Sequence, residues 1–474
     1  MKTSTTDTFS AFCIAGTGSG DGKTTVTLAL LRALANRGIT VSPFKCGPDY
    51  IDPTFHKSAA GRFSENLDCW MMGKNAVKDT FRRHSKDAGC AVVEGVMGLY
   101  DASRPDTLAG STAETAILLN IPVILVVNAR GMAGSIAAMV KGYCEFRKSV
   151  NIVGVIANKV GSESHAALLD KALRAASLPP LLGYLPRDEK FTLPERHLGL
   201  VPFLENEKSD EWFDSLAETA ENSIMIDRIL ELTTRPQPLS VPDSAHYAPS
   251  PADERKQPVA GKARLAVAFD KAFSFYYRYN LELLQDTGFE IVYFSPMNDT
   301  SLPDADALYL GGGFPEVYAE ELDSNSAIRK EIKSFADNGG FIYAECGGFM
   351  YLTDSISNAE GRKYSMCGII PAESHISGKR LKALGYRTAE TEAATFFGNA
   401  GIHLKGHEFH WSDVTFKTPC APLFRCRGTR KNAAETTNGF IRGNTAASYI
   451  HIHFASNPSV LKNWLNCIIK EKKK

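Results

Sequence analysis

The stretch FCIAGTGSGDGKTTVTLALLRALANRG, residues 12–38, constrains the fold more than any other part of the chain. It reads as an apolar strand and a glycine-rich loop from Gly16 to Gly22. Lys23-Thr24-Thr25 then opens a helix whose leucines recur at helical spacing and which stops near Gly38. Strand, loop and helix in that order are the context of a phosphate-binding loop. Backbone N–H groups of Gly16, Thr17, Gly18, Ser19, Gly20, Asp21 and Gly22 can curl around phosphate oxygens, with the helix N-terminus adding positive potential. Lys23 reaches the terminal phosphates, the Thr24 hydroxyl can ligate Mg²⁺, and Thr25 completes the motif. The strict pattern has four residues between its glycines, whereas Gly16 and Gly22 are separated by five.

The rest of the chain repeats the same alternation. Strand candidates at 11–15, 40–43, 91–94, 122–128 and 152–158, and again at 264–269, 290–294, 307–310, 341–344 and 448–454, alternate with helix-length amphipathic segments. This predicts two doubly wound α/β domains. A chain of 474 residues is too long for one core. The proline-rich segment 236–262 is expected to link a domain at 1–235 to one at 263–474.

Composition excludes several classes. Lys plus Arg equals Asp plus Glu at 53 each, with no long run of one sign before the short Lys-rich tail, so no nucleic-acid surface is expected. Residues 1–10 lack an export signal, and the most apolar stretch, 117–127, is too short to span a bilayer. The latter is read as a buried strand and its approach. A cytosolic chain without a membrane partner is expected. The ten cysteines show neither a C-x-x-C pair nor a metal spacing, which suggests reduced thiols. Cys13, Cys46, Cys69, Cys90, Cys144 and Cys467 are expected as small buried residues.

Two acidic groups follow strands in the first half. In AVVEGVMGLYD, Glu94 ends a strand at the sheet edge and can serve Mg²⁺, and Asp101 follows in a loop. In PFKCGPDYIDP, Asp49 and Asp52 bracket Tyr50 and Ile51, and Asp49 reaches the metal or orients an acceptor carboxylate. For each acid taken singly, a helix cap or turn is the plain alternative. Beside a phosphate-binding loop they imply phosphoryl transfer.

In the second half, NGGFIYAECGGFMYLTDSI gives a strand, a sharp turn at Cys346, two glycines and a helix: a nucleophile elbow with cysteine in place of serine. Ala344 stands where glycine is usual. The helix N-terminus favours thiolate, and the N–H groups of Gly347 and Gly348 are available to an oxyanion. Upstream, LYLGGGFPEVYAEEL places Gly311, Gly312 and Gly313 as a second wall of that pocket. In ASYIHIHFASNP, His451 and His453 share a strand face; either could be the base, and His451 is chosen.

The loop at Gly16 to Thr25 resembles that of dethiobiotin synthetase and its relatives, which activate carboxylates with ATP. FKCGPDYIDPTFH, VVEGVMGLYD, LGGGFPEVYAEEL, YAECGGFMYL, GHEFHWS and SYIHIHFASNP together resemble, in order, the motifs of the cobyrinic acid a,c-diamide synthase family. The resemblance implies a P-loop NTPase-like synthetase domain followed by a class I glutamine amidotransferase domain. ATP and Mg²⁺ serve the first, glutamine and a corrinoid tetrapyrrole are the substrates, and a homodimer is compatible. Cys346 and His451 fall on the family's nucleophile and base. Asp49, Tyr50, Ile51, Asp101, Gly312, Gly313 and Gly347 are expected to bind substrate, and Thr24, Asp49 and Glu94 to hold the metal. The acidic partner expected just after the histidine is missing from 452–457. His407, Glu408 and His410 in GHEFHWS are read as a structural or pocket motif, with no bound transition metal. Amidation of the a and c acetates of cobyrinic acid is implied. Nickel sirohydrochlorin is the alternative acceptor, and a non-catalytic P-loop switch or partition-type regulator the alternative class, opposed by intact Cys346, His451 and GPDYID.

Overall fold

The computed structural model describes residues 8–193, 195–196, 199–200, 208–236, 262–358, 360–376, 381–429 and 433–473. The chain divides into two compact units, 1–248 and 249–474. Nearly all of the expected linker lies outside the described residues.

The first unit is built on seven parallel strands: β1 (Thr8–Gly16), β2 (Val41–Cys46), β3 (Glu65–Leu67), β4 (Cys90–Gly98), β5 (Val123–Asn128), β6 (Ile152–Val160) and β7 (Leu181–Pro186). Their order is β3-β2-β4-β1-β5-β6-β7, and Thr234–Pro236 adds an antiparallel edge to the start of β1. The strands read as continuous apolar runs because helices cover both faces of a parallel sheet. Ile14, Val92, Val126 and Ile156 share a core with Val26, Leu30 and Leu34 of helix α1 (Lys23–Asn36). Strand order reverses at β1, so the crevice beyond its carboxyl end is the natural ligand site of such a sheet. The apolar stretch 117–127 is less uniform than expected. It comprises the end of the helix Thr112–Leu119, Asn120 in the left-handed conformation, and most of β5.

In the second unit, strands Phe289–Phe294, Ala263–Ala268, Ala307–Leu310, Phe341–Glu345 and Thr445–Ser448 run parallel in that order, and Phe440–Arg442 closes the edge antiparallel. Residues 353–452 also supply a four-stranded and a five-stranded sheet that the sequence reading did not anticipate. The expected strand 448–454 is divided between two of these sheets. Thr445–Ser448 belongs to the parallel sheet, while Ile450–Ile452 pairs antiparallel with His403–His410.

All ten cysteines are free thiols. Cys144 and Cys467 are half-buried, contrary to expectation, because each sits on a helix flank that the core does not cover. Among the described residues no helix is long and apolar enough to cross a membrane.

Candidate active sites

The glycine-rich loop leaves β1 at Gly16 and enters α1 at Lys23. Its extra residue is absorbed internally: the Asp21 carboxylate accepts from Gly18 N at 2.6 Å and from the Thr17 hydroxyl at 2.5 Å. Gly22 has φ 87°, and a Cβ there would stand 1.9 Å from Asn158 Nδ2, which donates to Asp21 O at 2.8 Å. Only glycine satisfies both constraints. Lys23 Nζ donates to Gly18 O at 2.9 Å, folding the lysine over the loop. Ser19 and Gly20 are exposed at its tip, and Thr25 is half-buried in the first turn of α1.

Beside the loop lies a buried ionic cluster. Thr24 Oγ1 donates to Glu94 Oε1 at 2.7 Å and stands 3.4 Å from Asp52 Oδ2. Lys45 Nζ donates to Glu94 Oε1 at 2.8 Å and to Asp52 Oδ2, with Asp49 Oδ2 at 3.7 Å. His56 bridges Glu94 Oε2 at 2.7 Å and the Ser64 hydroxyl at 3.0 Å. Burial alone would raise the Glu94 carboxyl, but Lys45 and His56 outweigh it and hold the group well below the usual range. Burial would likewise strip Lys45 of its proton, yet Asp52, Glu94 and Asp49 keep its ammonium well above its ordinary value.

Asp49 closes the turn that leads into the helix Asp52–Ala60, its Oδ1 accepting from Ile51 N at 2.8 Å and Asp52 N at 3.2 Å. After Glu94, Asp52 is therefore the carboxylate nearest Thr24, with Asp49 one step further back. Tyr50 and Ile51 form the half-buried turn between them. Asp101 accepts from Gly98 N at 2.7 Å, closing a turn whose Leu99 N donates to Gly16 O at 2.9 Å.

In the second unit Cys346 occupies the elbow with φ 46° and ψ −102°, a conformation costly for a residue with a side chain. Its N–H donates to Ser448 O at 2.7 Å. Gly348 N donates to Gly311 O at 2.9 Å, so that N–H is engaged rather than available to an oxyanion. The Gly347 N–H lies against the thiol, and Gly313 N is 3.0 Å from where Gly347 would carry a Cβ. The thiolate expectation is also corrected. Burial, and then the Glu316 carboxylate, push the thiol well up, against which the six-residue helix Gly347–Leu352 offers little. Phe275, Gly313, Phe314, Glu316, His410 and Trp411 surround the thiol.

His451 lies on Ile450–Ile452, opposite His407 of the neighbouring strand. Its ring covers Gly312, whose absent Cβ would stand 2.2 Å from Cε1. Burial, then His407 and His410, lower this imidazole to about 3. His453 does not share that face. It has left the strand, caps the turn Phe454–Ser456 by accepting from Ala455 N at 3.3 Å, and packs on Tyr277 with ring centroids 5.0 Å apart. In the GHEFHWS segment, Glu408 accepts from Arg387 Nε at 2.7 Å and Asn438 Nδ2 at 2.8 Å, and His410 stacks on Tyr449 at 3.7 Å.

Sequence reasoning passed over Lys45, His56 and Glu345 as site residues. The available signal was a charged residue inside a strand otherwise fully buried, as in VSPFKC and FIYAE.

Residues 12–201 match the CobQ/CobB/MinD/ParA nucleotide-binding domain, and residues 264–459 match the CobB/CobQ-like glutamine amidotransferase domain. Similar proteins named cobyrinate a,c-diamide synthase extend over almost the whole chain. That of Priestia megaterium is 42% identical over 453 residues, covering 95% of each chain. That of Syntrophotalea carbinolica is 44% identical, covering 96% of this chain and 97% of its own. That of Salmonella typhimurium is 42% identical, with the same coverage of 96% and 97%.

Proposed function

The chain belongs to the cobyrinate a,c-diamide synthase family, and from that premise we propose that it uses ATP and glutamine to amidate the a and c acetate carboxylates of cobyrinic acid. The observation that carries this reading is the coexistence in one chain of a phosphate-binding loop set against a buried ionic cluster and a cysteine elbow whose preceding residue, Glu345, lies 4.0 Å from the buried His451. A P-loop switch would have no use for the second, and a glutaminase no use for the first.

In the second unit, Cys346 attacks the side-chain amide carbon of glutamine while His451 takes the thiol proton. The imidazolium returns it to the departing nitrogen, ammonia leaves and a thioester remains for water to hydrolyse. The Gly347 and Gly313 N–H groups face the oxyanion. The raised thiol keeps the resting nucleophile protonated until substrate and base engage it.

In the first unit the Gly16 to Gly22 loop and Lys23 hold the ATP phosphates, and Asp49, Tyr50, Ile51 and Asp101 serve the acceptor side. Oxygens of Glu94 and Asp52 converge on the Lys45 ammonium, and the Thr24 hydroxyl stands against the same two carboxylates, so the pocket already favours a cation made for hard ligands and fits Mg²⁺. Thr24, Glu94 and Asp52 would hold it, with Asp49 behind them. A Mg²⁺ ion held by them would supply charge neutralisation for the transferring phosphoryl group. Lys23 and Lys45 supply fixed positive charge as the acceptor carboxylate attacks the terminal phosphorus and the bond to the bridging oxygen breaks, releasing ADP. The resulting acyl phosphate has a leaving group that ammonia can displace, which the free carboxylate lacks.

The test is incubation of cobyrinic acid with the protein, MgATP and glutamine labelled with ¹⁵N in its side-chain amide. Two labelled nitrogens in the corrinoid, found by mass spectrometry at the a and c positions, are expected. An unlabelled or unmodified corrinoid would overturn the reading.

A further inference from the structure

A histidine that serves as general base is ordinarily held in one tautomer by a carboxylate on its far nitrogen. None follows His451 within 452–457. Glu345, the residue before the nucleophile, stands in that place. Its Oε2 is 4.0 Å from His451 Nδ1, and both side chains are 2% exposed. We propose that Glu345 is the positioning residue of the glutaminase centre, holding His451 with Nδ1 toward the carboxylate and Nε2 toward the thiol proton. The inference rests on the reading of Cys346 and His451 as nucleophile and base.

Three observations support it. The ring is fixed on a second side, because its Cε1 lies against Gly312 with no room for a side chain between them; Nδ1 and Nε2 flank Cε1, so fixing one aims the other. The carboxylate is itself immobilised: Tyr343 Oη donates to Oε1 at 2.7 Å, Ile452 N to Oε1 at 2.9 Å, and Tyr309 Oη to Oε2 at 2.9 Å. Ile452 adjoins His451, so one side chain ties the nucleophile's strand to the base's strand. Lastly, among the described residues His451 is the only basic side chain within ion-pair range of Glu345. A buried carboxylate without Lys or Arg is costly to keep, and the charge on His451 is what it can stabilise. Burial raises the Glu345 carboxyl to about 7, against the donors that oppose the shift.

As sulfur bonds to the amide carbon, the carbonyl electron pair moves to oxygen and Nε2 takes the thiol proton. As the C–N bond breaks, Nε2 gives that proton to nitrogen. Glu345 neither gains nor loses one. The 4.0 Å separation exceeds a hydrogen bond and closes when the imidazole becomes charged, as catalytic contacts do on engaging substrate.

The test is a double-mutant cycle on glutaminase activity in the full chain, with ammonia-dependent amidation as the folding control. Glu345→Gln is expected to lower kcat by about 10²-fold with KM for glutamine within about twofold, and to leave the ammonia reaction intact. Combined with His451→Ala it is expected to lower activity no further than His451→Ala alone. Full kcat in Glu345→Gln beside a dead His451→Ala, or additive losses in the double variant, would overturn the proposal. An active His451→Ala would instead overturn the base assignment on which it rests. Should Glu345→Gln fail to fold, ¹⁵N NMR of histidine-labelled wild-type protein alkylated at Cys346 by a glutamine chloroketone decides the matter. A carboxylate-bonded Nδ1 proton on His451 is expected, and its absence would contradict the proposal.

Discussion

Lys45 is the residue on which the first site turns. The residue is 3% exposed, and its ammonium stands among the carboxylates of Glu94, Asp52 and Asp49. Removing one member of such a cluster strands the others in low dielectric, so Lys45→Met is expected to cost about 3–5 kcal/mol of stability in the absence of metal. Because Thr24, Glu94 and Asp52 are the proposed Mg²⁺ donors, added Mg²⁺ should recover part of that loss. Chemical denaturation with and without Mg²⁺ checks both statements; equal loss in either condition would contradict the shared-site account. Cys346 makes the opposite trade. Its φ of 46° is strained for a residue with a side chain, so Cys346→Gly is expected to be about 1 kcal/mol more stable than Cys346→Ala, and both are expected to lack glutaminase activity. Thermal denaturation of the pair measures it.

At the scale of elements, each site sits where a parallel strand ends and a helix begins. At Gly22 the turn depends on a missing side chain: Gly22→Ala would force Asn158 aside and oppose φ 87°. Nucleotide affinity is expected to fall by at least about tenfold, only partly recovered in Gly22→Ala/Asn158→Gly. Equilibrium nucleotide binding provides the check. The His453 turn is pH-sensitive. Its imidazole falls from 6.5 to about 3 through burial. The depressed value means that this contribution, up to about 5 kcal/mol, is fully present above pH 6.5 and is lost as pH falls toward 3. Glu345, raised from 4.5 to about 7, acts with opposite sign: its contribution is present below pH 4.5 and is lost as pH rises through 7. His453→Gln is therefore expected to flatten the acid limb of a denaturation series. These elements also mark what a sequence can disclose. The loop at Gly16 and the elbow at Cys346 were legible because local spacing defines them. Lys45, His56 and Glu345 were not, since their roles come from elements that meet only in the fold: β2 beside β4, the helix Asp52–Ala60 against Glu94, and Phe341–Glu345 beside Thr445–Ser448. Likewise, no periodicity in 448–454 marks where the chain leaves one sheet for another.

In the molecule as a whole, the proposed division of labour gives phosphoryl activation of the acceptor to the first unit and release of ammonia from glutamine to the second. That division is the central claim, and replacing Cys346 by alanine tests it most directly. With cobyrinic acid and MgATP, Cys346→Ala is expected to yield no amidated corrinoid from glutamine but both amides when ammonium salt is supplied at alkaline pH, while Lys23→Ala yields neither from either donor. Glutamine-driven amidation by Cys346→Ala, or no recovery with ammonia in a folded variant, would contradict the account.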